Sequence, residues 1–383
     1  MIDKKISDYI DLHERDALNF LKKLAVIKAP SGNESKRAEF CMDYLRAHGA
    51  KNLCTDEAGN VIYAINVNES NRLEVFSAHL DIVFPEEVEL NISEKNGRLY
   101  CPGIGDDTAC VSSLMLTACY LAEYDADEEW KRLRGENAPG LLIVFNTCEE
   151  GLGNLKGIKE ICRRYSDRID LFCSFDLGYD SFITSAIGSI RYKISVKTQG
   201  GHSFMNFGRA NAIERLSSII TKLYSMPLPR DGHNTFNVGL IQGGTSVNTI
   251  AQYAEMLFEI RSDRAYYLRY MDEKLQKIIE NSKKGCVSVD IEIIGKRPCS
   301  ENVDPDKMKQ LIHRAEKAVK QYSGKLPVQK PGSTDCNIPL SLGIPSVCIG
   351  CYLGQGAHTK EEYIHLSSLK TGYLITASMI FNQ

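Results

Sequence analysis

Long hydrophobic runs are missing from this 383-residue chain. No segment approaches the roughly 20 apolar residues of a membrane span. The N-terminal stretch MIDKKISDYIDLHERD is charged and amphipathic, without the apolar centre of a secretory signal. Charge of one sign is missing too. The chain has 46 Lys and Arg against 49 Asp and Glu, a formal net charge of −3, and no basic cluster, which argues against a nucleic-acid surface. There is no internal repeat and no low-complexity tract. The 13 cysteines are scattered and odd in number, and without an export signal they read as reduced, mostly buried thiols. Cys348 and Cys351 form one C-x-x-C, CIGC, but with no second pair and no nearby histidine it is a weak zinc or redox signal. The expectation is a cytoplasmic protein with no membrane or nucleic-acid partner.

What is present is enough apolar sequence for more than one core. Hydrophobic residues make up 43% and charged residues 25%, as in globular proteins, and the length suggests two domains or one large domain with an insertion. Four apolar runs each lead into a loop with a polar residue at the carboxyl end. They are LEVFSA before His79, LLIVFN before Glu149, LFCSF before Asp176, and PSVCIG leading towards His358. Strands alternating with helical stretches predict an α/β fold with a mixed, mostly parallel sheet covered on both faces. Ligands of such sheets gather beyond the carboxyl ends of strands. Between about 187 and 297 the order changes to β-α-β-β-α-β, predicting a complete α+β unit inserted into a larger domain formed by 1–186 and 298–383.

The stretch NTCEEGLG, residues 146–153, places Glu149 and Glu150 side by side at a strand end. Acids at a helix start suit the helix dipole. Alternatively, adjacent side chains diverge, so one glutamate could bind a metal while the other handles a proton. His79 and Asp81 in SAHLDIVF could present an imidazole to a metal with the aspartate orienting its other nitrogen, or be a chance loop pair. Asp106 and Asp107 in GIGDDTAC could cap the helix that follows, although a cap needs only one acid. His13, His48, His233 and His313 lie in charged or linker stretches and read as solvated, and His365 as surface. Taken together, the strand ends hold two histidines and four or five carboxylates. Crowded and unpaired, these acids would raise one another's pKa values. Two divalent cations would offset the charge, and imidazole mixed with carboxylate suits zinc. A two-metal hydrolytic site is therefore expected.

SAHLDIVFP, YCPGIGDDT, CEEGLGNLKG, SFDLG, GGHSF and GAHTKEEYI occur in that order along the chain. The sequence resembles the co-catalytic zinc exopeptidases that include peptidase T, carboxypeptidase G and the desuccinylases of lysine synthesis, over essentially its whole length. The resemblance implies that His79 and Asp176 hold one zinc and Glu150 and His358 the other, with Asp106 bridging both and Co2+ or Mn2+ as substitutes. It implies that Asp81 orients His79, that Glu149 is the general base, and that a cis peptide bond joins Asp106 to Asp107. The inserted unit resembles the family's ferredoxin-like lid or dimerisation domain, whose histidine in GGHSF reaches a partner's site to help stabilise the oxyanion. That role falls on His202. Asn248 and Arg261 match lid residues that grip substrate, and Ser333, in GSTDCNIPLSLGIP, falls in the segment that lines the pocket. Ser333 stands where a glycine is often found and Cys336 where alanine is usual, and Ala109 and Cys110 after DDT also depart from many relatives, all near substrate rather than metal.

The activity this implies is hydrolysis of an amide bond in small peptides, as by a tripeptidase acting from the amino end, in a homodimer. Its alternative is an N-acyl amino acid deacylase or desuccinylase using the same metals and base. A non-catalytic binding relative is the remote third, disfavoured because Glu149 and all the ligand positions are present.

Overall fold

A computed structural model describes residues 2–283 and 287–382. Lys284, the last residue of one expected helix, and Cys286 lie outside the described residues. The chain forms two compact units, one of Met1–Ala186 with Glu301–Gln383 and one of Ile187–Ser300.

The first unit is organised by an eight-stranded mixed sheet. Its order is Leu53–Thr55, Val61–Ile65, Gly140–Asn146, Leu73–His79, Ile169–Phe175, Ser346–Ile349, Ser181–Ala186 and Val328–Gly332. The four apolar runs singled out in the sequence are the four central strands, neighbours in the sheet and all parallel. Strands of this kind are buried on both faces and so read as continuous apolar runs rather than alternating ones. Leu141, Ile143 and Phe145 point into one core with the helices Lys4–Ala25, Cys110–Ala122 and Leu369–Phe381, while Leu142 and Val144 join a second core with Lys156–Tyr165 and Asn337–Ser341. The helix Cys110–Ala122 is buried along its whole length, consistent with its uncharged, largely apolar sequence.

Parallel pairing brings the four carboxyl ends to one edge of the sheet. There the strands end at His79, Asn146, Phe175 and Ile349, so the loops that follow start as neighbours. A separate four-stranded antiparallel sheet, Gly354–Gln355, Tyr363–His365, Arg98–Tyr100 and Ser93–Lys95, holds the loop after the last of these against the segment that precedes Asp106.

The second unit is a β-α-β-β-α-β fold with strand order Asn234–Gly243, Tyr253–Ser262, Gly188–Lys197 and Ser288–Arg297, antiparallel throughout. Leu216, Ile219 and Leu223 of Ala212–Tyr224, with Met271, Leu275 and Ile279 of Ala265–Glu280, pack against the sheet to form its core. The first helix of this unit begins at Ala212, with Asn211 as its cap, whose side chain accepts the Ile213 and Glu214 N–H groups. The helix Ser35–Ala47 starts after Glu34 without a side-chain cap, and the Asn33 N–H donates to the Pro30 carbonyl in the turn before it.

One charged residue interrupts the apolar strand Leu73–His79. Glu74 is buried and meets Arg134 through two bonds of 2.6 and 3.1 Å, and Arg314 at 3.4 Å. Burial pushes its carboxyl up, but the Arg314 and Arg134 charges push it down further, and the net pKa is lowered. A carboxyl held below its unfolded value adds stability above that value and loses it as pH falls through the folded pKa. Glu74→Gln leaves two buried guanidiniums short of a counter-charge and is expected to cost about 3–5 kcal/mol in urea unfolding at pH 7. The difference from wild type shrinks as the pH is lowered into the acid range. A difference under about 0.5 kcal/mol at pH 7, the scale of ordinary surface substitutions, contradicts this account.

Candidate metal centre

Each central strand delivers its polar residue by a different local device. His79 is the last residue of its strand, and its backbone N–H donates to Asp107 Oδ2 at 2.9 Å. After Asn146 the chain turns sharply through Cys148 at φ +60°, and a Cβ on Gly153 would lie 2.7 Å from the Cys148 backbone, so only glycine fits there. Glu149 and Glu150 then project from consecutive positions. Their two N–H groups both end on one carboxylate, Glu149 N–H on Asp81 Oδ1 at 2.9 Å and Glu150 N–H on Asp81 Oδ2 at 2.8 Å. His358 sits in a loop at φ +65°, a conformation uncommon for a side chain that is not glycine.

These residues converge. His79 Nε2 lies 3.1 Å from Asp106 Oδ1, and His358 Nε2 lies 3.0 Å from Asp106 Oδ2 and 3.1 Å from Glu150 Oε1. Asp106 thus turns one oxygen to each imidazole. The Asp106–Asp107 peptide bond is cis, as the family resemblance implies. Three sets of ligand atoms each fall within 4.8 Å of one another: His79, Asp107 and Asp176; His79, Glu149 and Glu150; and Asp106, Glu150 and His358. All of these side chains are buried except His358.

The electrostatics of this cluster are those of a site built for cations. Asp176 Oδ1 and Asp107 Oδ1 are buried with no hydrogen-bond partner, which is costly unless something positive meets them. Burial, together with the charges of Asp106, Glu150 and Asp335, pushes the Asp176 carboxyl up to about 8. Burial likewise raises Asp107 well above the usual range. His358 is pushed up to about 10 by its hydrogen bonds to Asp106 and Glu150. Carboxylates and imidazoles in this number, with orphaned buried oxygens, fit divalent metal.

Asp81 faces His79 Nδ1 with two oxygens. The nearer partner of His79 Nδ1 is the Asp81 carbonyl oxygen, at 3.1 Å, with the carboxylate Oδ1 at 3.5 Å. The carboxylate is drawn away by the Ser31 hydroxyl at 2.6 Å and by the amides of Glu149 and Glu150. His79 Nδ1–H therefore donates to a backbone oxygen while Nε2 faces the cluster, the usual orientation of a ligating histidine.

Four residues not singled out in the sequence support the cluster from behind. The Glu34 carboxylate accepts N–H groups from Gly32 at 2.8 Å and from Cys148 at 3.0 Å. Arg37, wholly buried, donates to the carbonyls of Ile27 and Leu80 and to the Thr108 hydroxyl, joining the loop after His79 to the loop after Asp107; burial lowers its pKa to about 10. Asp335 accepts from Asn146 Nδ2 at 2.8 Å. Glu362 binds the loop before Asp106. Their partners are mostly backbone groups distant in sequence, which no motif records.

The other expected site residues are placed as follows. His202 is exposed in the second unit, in the short ladder Gly201–His202 with Thr249–Ile250, and its Nδ1 accepts the Phe204 N–H at 3.2 Å. Asn248 is exposed in the same unit, its side-chain oxygen accepting from the Ser246 hydroxyl. The Arg261 guanidinium is held by Glu259 at 2.6 and 3.1 Å. Ser333 is partly buried in the first unit, and Cys336 beyond it is buried. Of the histidines read as solvated, His233 and His313 are exposed, whereas His13 and His48 are half-buried against Tyr9 and Tyr44.

A mostly parallel sheet with acids and imidazoles gathered at its strand ends, in a chain that also carries a separate β-α-β-β-α-β unit, fits a metallopeptidase or related hydrolase. The model of Peptidase family M20/M25/M40 matches residues 75–382, and the chain belongs to that family. It is similar to the protein YqjE of Bacillus subtilis, 25% identical over 337 residues that cover 84% of each chain. It is 21% identical to the acetylornithine deacetylase of Buchnera aphidicola over 325 residues, 80% of each chain. Among solved structures, a tripeptidase from Staphylococcus aureus shares the fold with a TM-score of 0.74 at 21% identity, covering 97% of this chain and 99% of that one.

If cations complete this cluster, removing them restores the repulsion. Treatment with a chelator is expected to lower the melting temperature, and divalent metal at a hundred times its Kd to return about 2.7 kcal/mol per site. A protein that melts identically with and without chelator, and holds no metal by elemental analysis, contradicts the assignment.

Proposed function

We propose that the protein is a di-zinc exopeptidase that hydrolyses the amino-terminal amide bond of small peptides, tripeptides foremost, in the cytoplasm as a homodimer. The observation that carries the reading is the pair Glu149 and Glu150, whose backbone amides both end on Asp81 and whose adjacent carboxylates stand beside His79. His79, Asp106 and Asp176 would hold one metal, and Asp106, Glu150 and His358 the other. Asp107, within ligand reach of His79 and Asp176, anchors the His79 backbone. Bound cations would supply Lewis-acid polarisation of the scissile carbonyl and acidify a water.

The chain's own residues do the rest. Glu149 stays close to His79 and Glu150 but is not needed in the ligand set, and it accepts the proton of the attacking water and returns it to the departing amine. Asp81 fixes the base indirectly, through the Glu149 amide. His202 has its Nδ1 occupied by the Phe204 N–H, so the neutral ring carries its proton on Nε2 and presents a donor suited to an oxyanion. Phe204, Met205 and Phe207 beside it are 84%, 76% and 92% exposed, which supports burial of this loop against a partner subunit. Asn248, Arg261 and Ser333 are the proposed substrate contacts. To meet a substrate carboxylate, Arg261 must share its guanidinium with Glu259 or release it. The twelve described cysteines are all free thiols, eleven of them buried, which supports a reducing compartment.

The fold likeness to a tripeptidase supports the peptide reading. The likeness to an acetylornithine deacetylase favours a second, removal of an acyl group from an amino acid by the same groups. Assay of tripeptides, dipeptides and N-acyl amino acids with added zinc or cobalt separates them. Turnover of tripeptides above the other classes is expected, and cleavage of acyl amino acids alone contradicts the peptidase reading. Glu149→Ala is expected to lower kcat by about 10²–10⁴-fold with metal content unchanged, and wild-type turnover in this variant removes Glu149 from its role. Native mass spectrometry is expected to give a dimer, and His202→Ala to lower kcat more than it raises KM. A monomer with full activity contradicts both.

A further inference from the structure

Glu362 lies four residues beyond His358 and is 1% exposed, yet among the described residues it makes no ion pair. Its carboxylate is occupied by backbone. Oε2 accepts the Gly103 N–H at 2.6 Å, and Oε1 accepts the N–H groups of Gly105 at 2.9 Å and Asp106 at 2.8 Å. The loop is shaped for this grip. Gly103 has φ +74°, and a Cβ on Gly103 or Gly105 would lie 2.6 Å from Ile82 or from the Tyr352 ring. The Gly103 carbonyl in turn accepts the Thr108 hydroxyl at 2.6 Å, closing the turn around the aspartates. The Glu362 backbone adds a fourth tie, its carbonyl accepting the Cys101 N–H at 3.2 Å, and the next residue, Tyr363, pairs with Tyr100.

We propose that Glu362 is a positioning residue for the metal centre: its carboxylate fixes the Asp106 backbone and locks the loop that carries the bridging carboxylate to the loop that carries His358. The inference rests on the metal reading above. A buried carboxylate that accepts three N–H groups is a fixed anchor, and it stands where a small shift of Asp106 would misplace one ligand of both cations together. Conversely, a carboxylate used only to satisfy a buried turn would matter to folding and not to metal affinity. Outer partners that orient ligands typically govern 10–100-fold in metal affinity.

The test is the Zn2+ affinity of the full-length protein, measured by competition with a chromophoric chelator, for wild type, Glu362→Gln and Glu361→Gln. Glu361 is an exposed neighbour and serves as control. Glu362→Gln keeps the shape but leaves one acceptor oxygen for three donors. It is expected to weaken Zn2+ binding 10–100-fold, to shrink the rise in melting temperature that metal produces, and to regain activity when Zn2+ is raised, with KM unchanged. Glu361→Gln is expected to behave as wild type. If Glu362→Gln does not fold, Glu362→Asp, which keeps the charge but withdraws it by one methylene, is expected to show a smaller loss of affinity of the same kind. Wild-type affinity in either variant, with a melting temperature lowered equally with and without metal, overturns the inference and leaves the metal reading intact. A wild-type protein that binds no Zn2+ overturns the metal reading itself, and this inference with it.

Discussion

Six carboxylates, those of Asp81, Asp106, Asp107, Glu149, Glu150 and Asp176, are buried together with the imidazole of His79 at one edge of a sheet. Left to themselves they would repel or take up protons. The structure answers in two layers. Outer carboxylates are satisfied by backbone N–H groups: Asp81 takes those of Glu149 and Glu150, Glu362 takes those of Gly103, Gly105 and Asp106, and Glu34 takes those of Gly32 and Cys148. Inner carboxylates face one another and the imidazoles, with oxygens of Asp107 and Asp176 unpartnered. The first layer neutralises its charge by folding. The second is left for cations.

This division explains why the site sits where it does. Four adjacent parallel strands deliver four loops to one edge, and each loop begins at a fixed height set by strand register, His79 opposite Asn146 and Phe175 opposite Ile349. The loops themselves would be free to move, and the outer carboxylates tie them together in pairs. Asp81 ties the loop after His79 to the loop after Asn146. Glu362 ties the His358 loop to the Asp106 loop, and the buried Arg37 ties Leu80 to Thr108. A rigid site thus arises from connections that cross between strands rather than along them.

What the sequence made legible follows from the same geometry. Acids and imidazoles at the ends of strands suit a cation, so His79, Glu149, Glu150 and Asp176 could be picked out from type and place, Asp106 as one of two adjacent acids before a helix, and His358 from its glycine-rich setting after the last apolar run. The four central strands were legible because burial on both faces makes them apolar throughout. Glu34, Arg37 and Glu362 were not, because their partners are main-chain groups with no sequence signature, and each reads as an ordinary charged residue of a helix or loop. The small sheet around Tyr363–His365 escaped notice because strands of two or three residues are too short for any periodicity to register. Arg261 was legible by resemblance as a charged residue of the inserted unit, but its clasp by Glu259, two positions away on the same face of the strand, depends on a pairing that the motif does not encode.

The central claim is that the crowded acids and imidazoles enclose a pair of cations that share Asp106. The most direct measurement is anomalous X-ray diffraction at the zinc edge from crystals grown with that metal. The account predicts two peaks, one among His79, Asp106 and Asp176 and the other among Asp106, Glu150 and His358. Zinc bound only elsewhere on the protein, with no anomalous density beside Asp106, would contradict it.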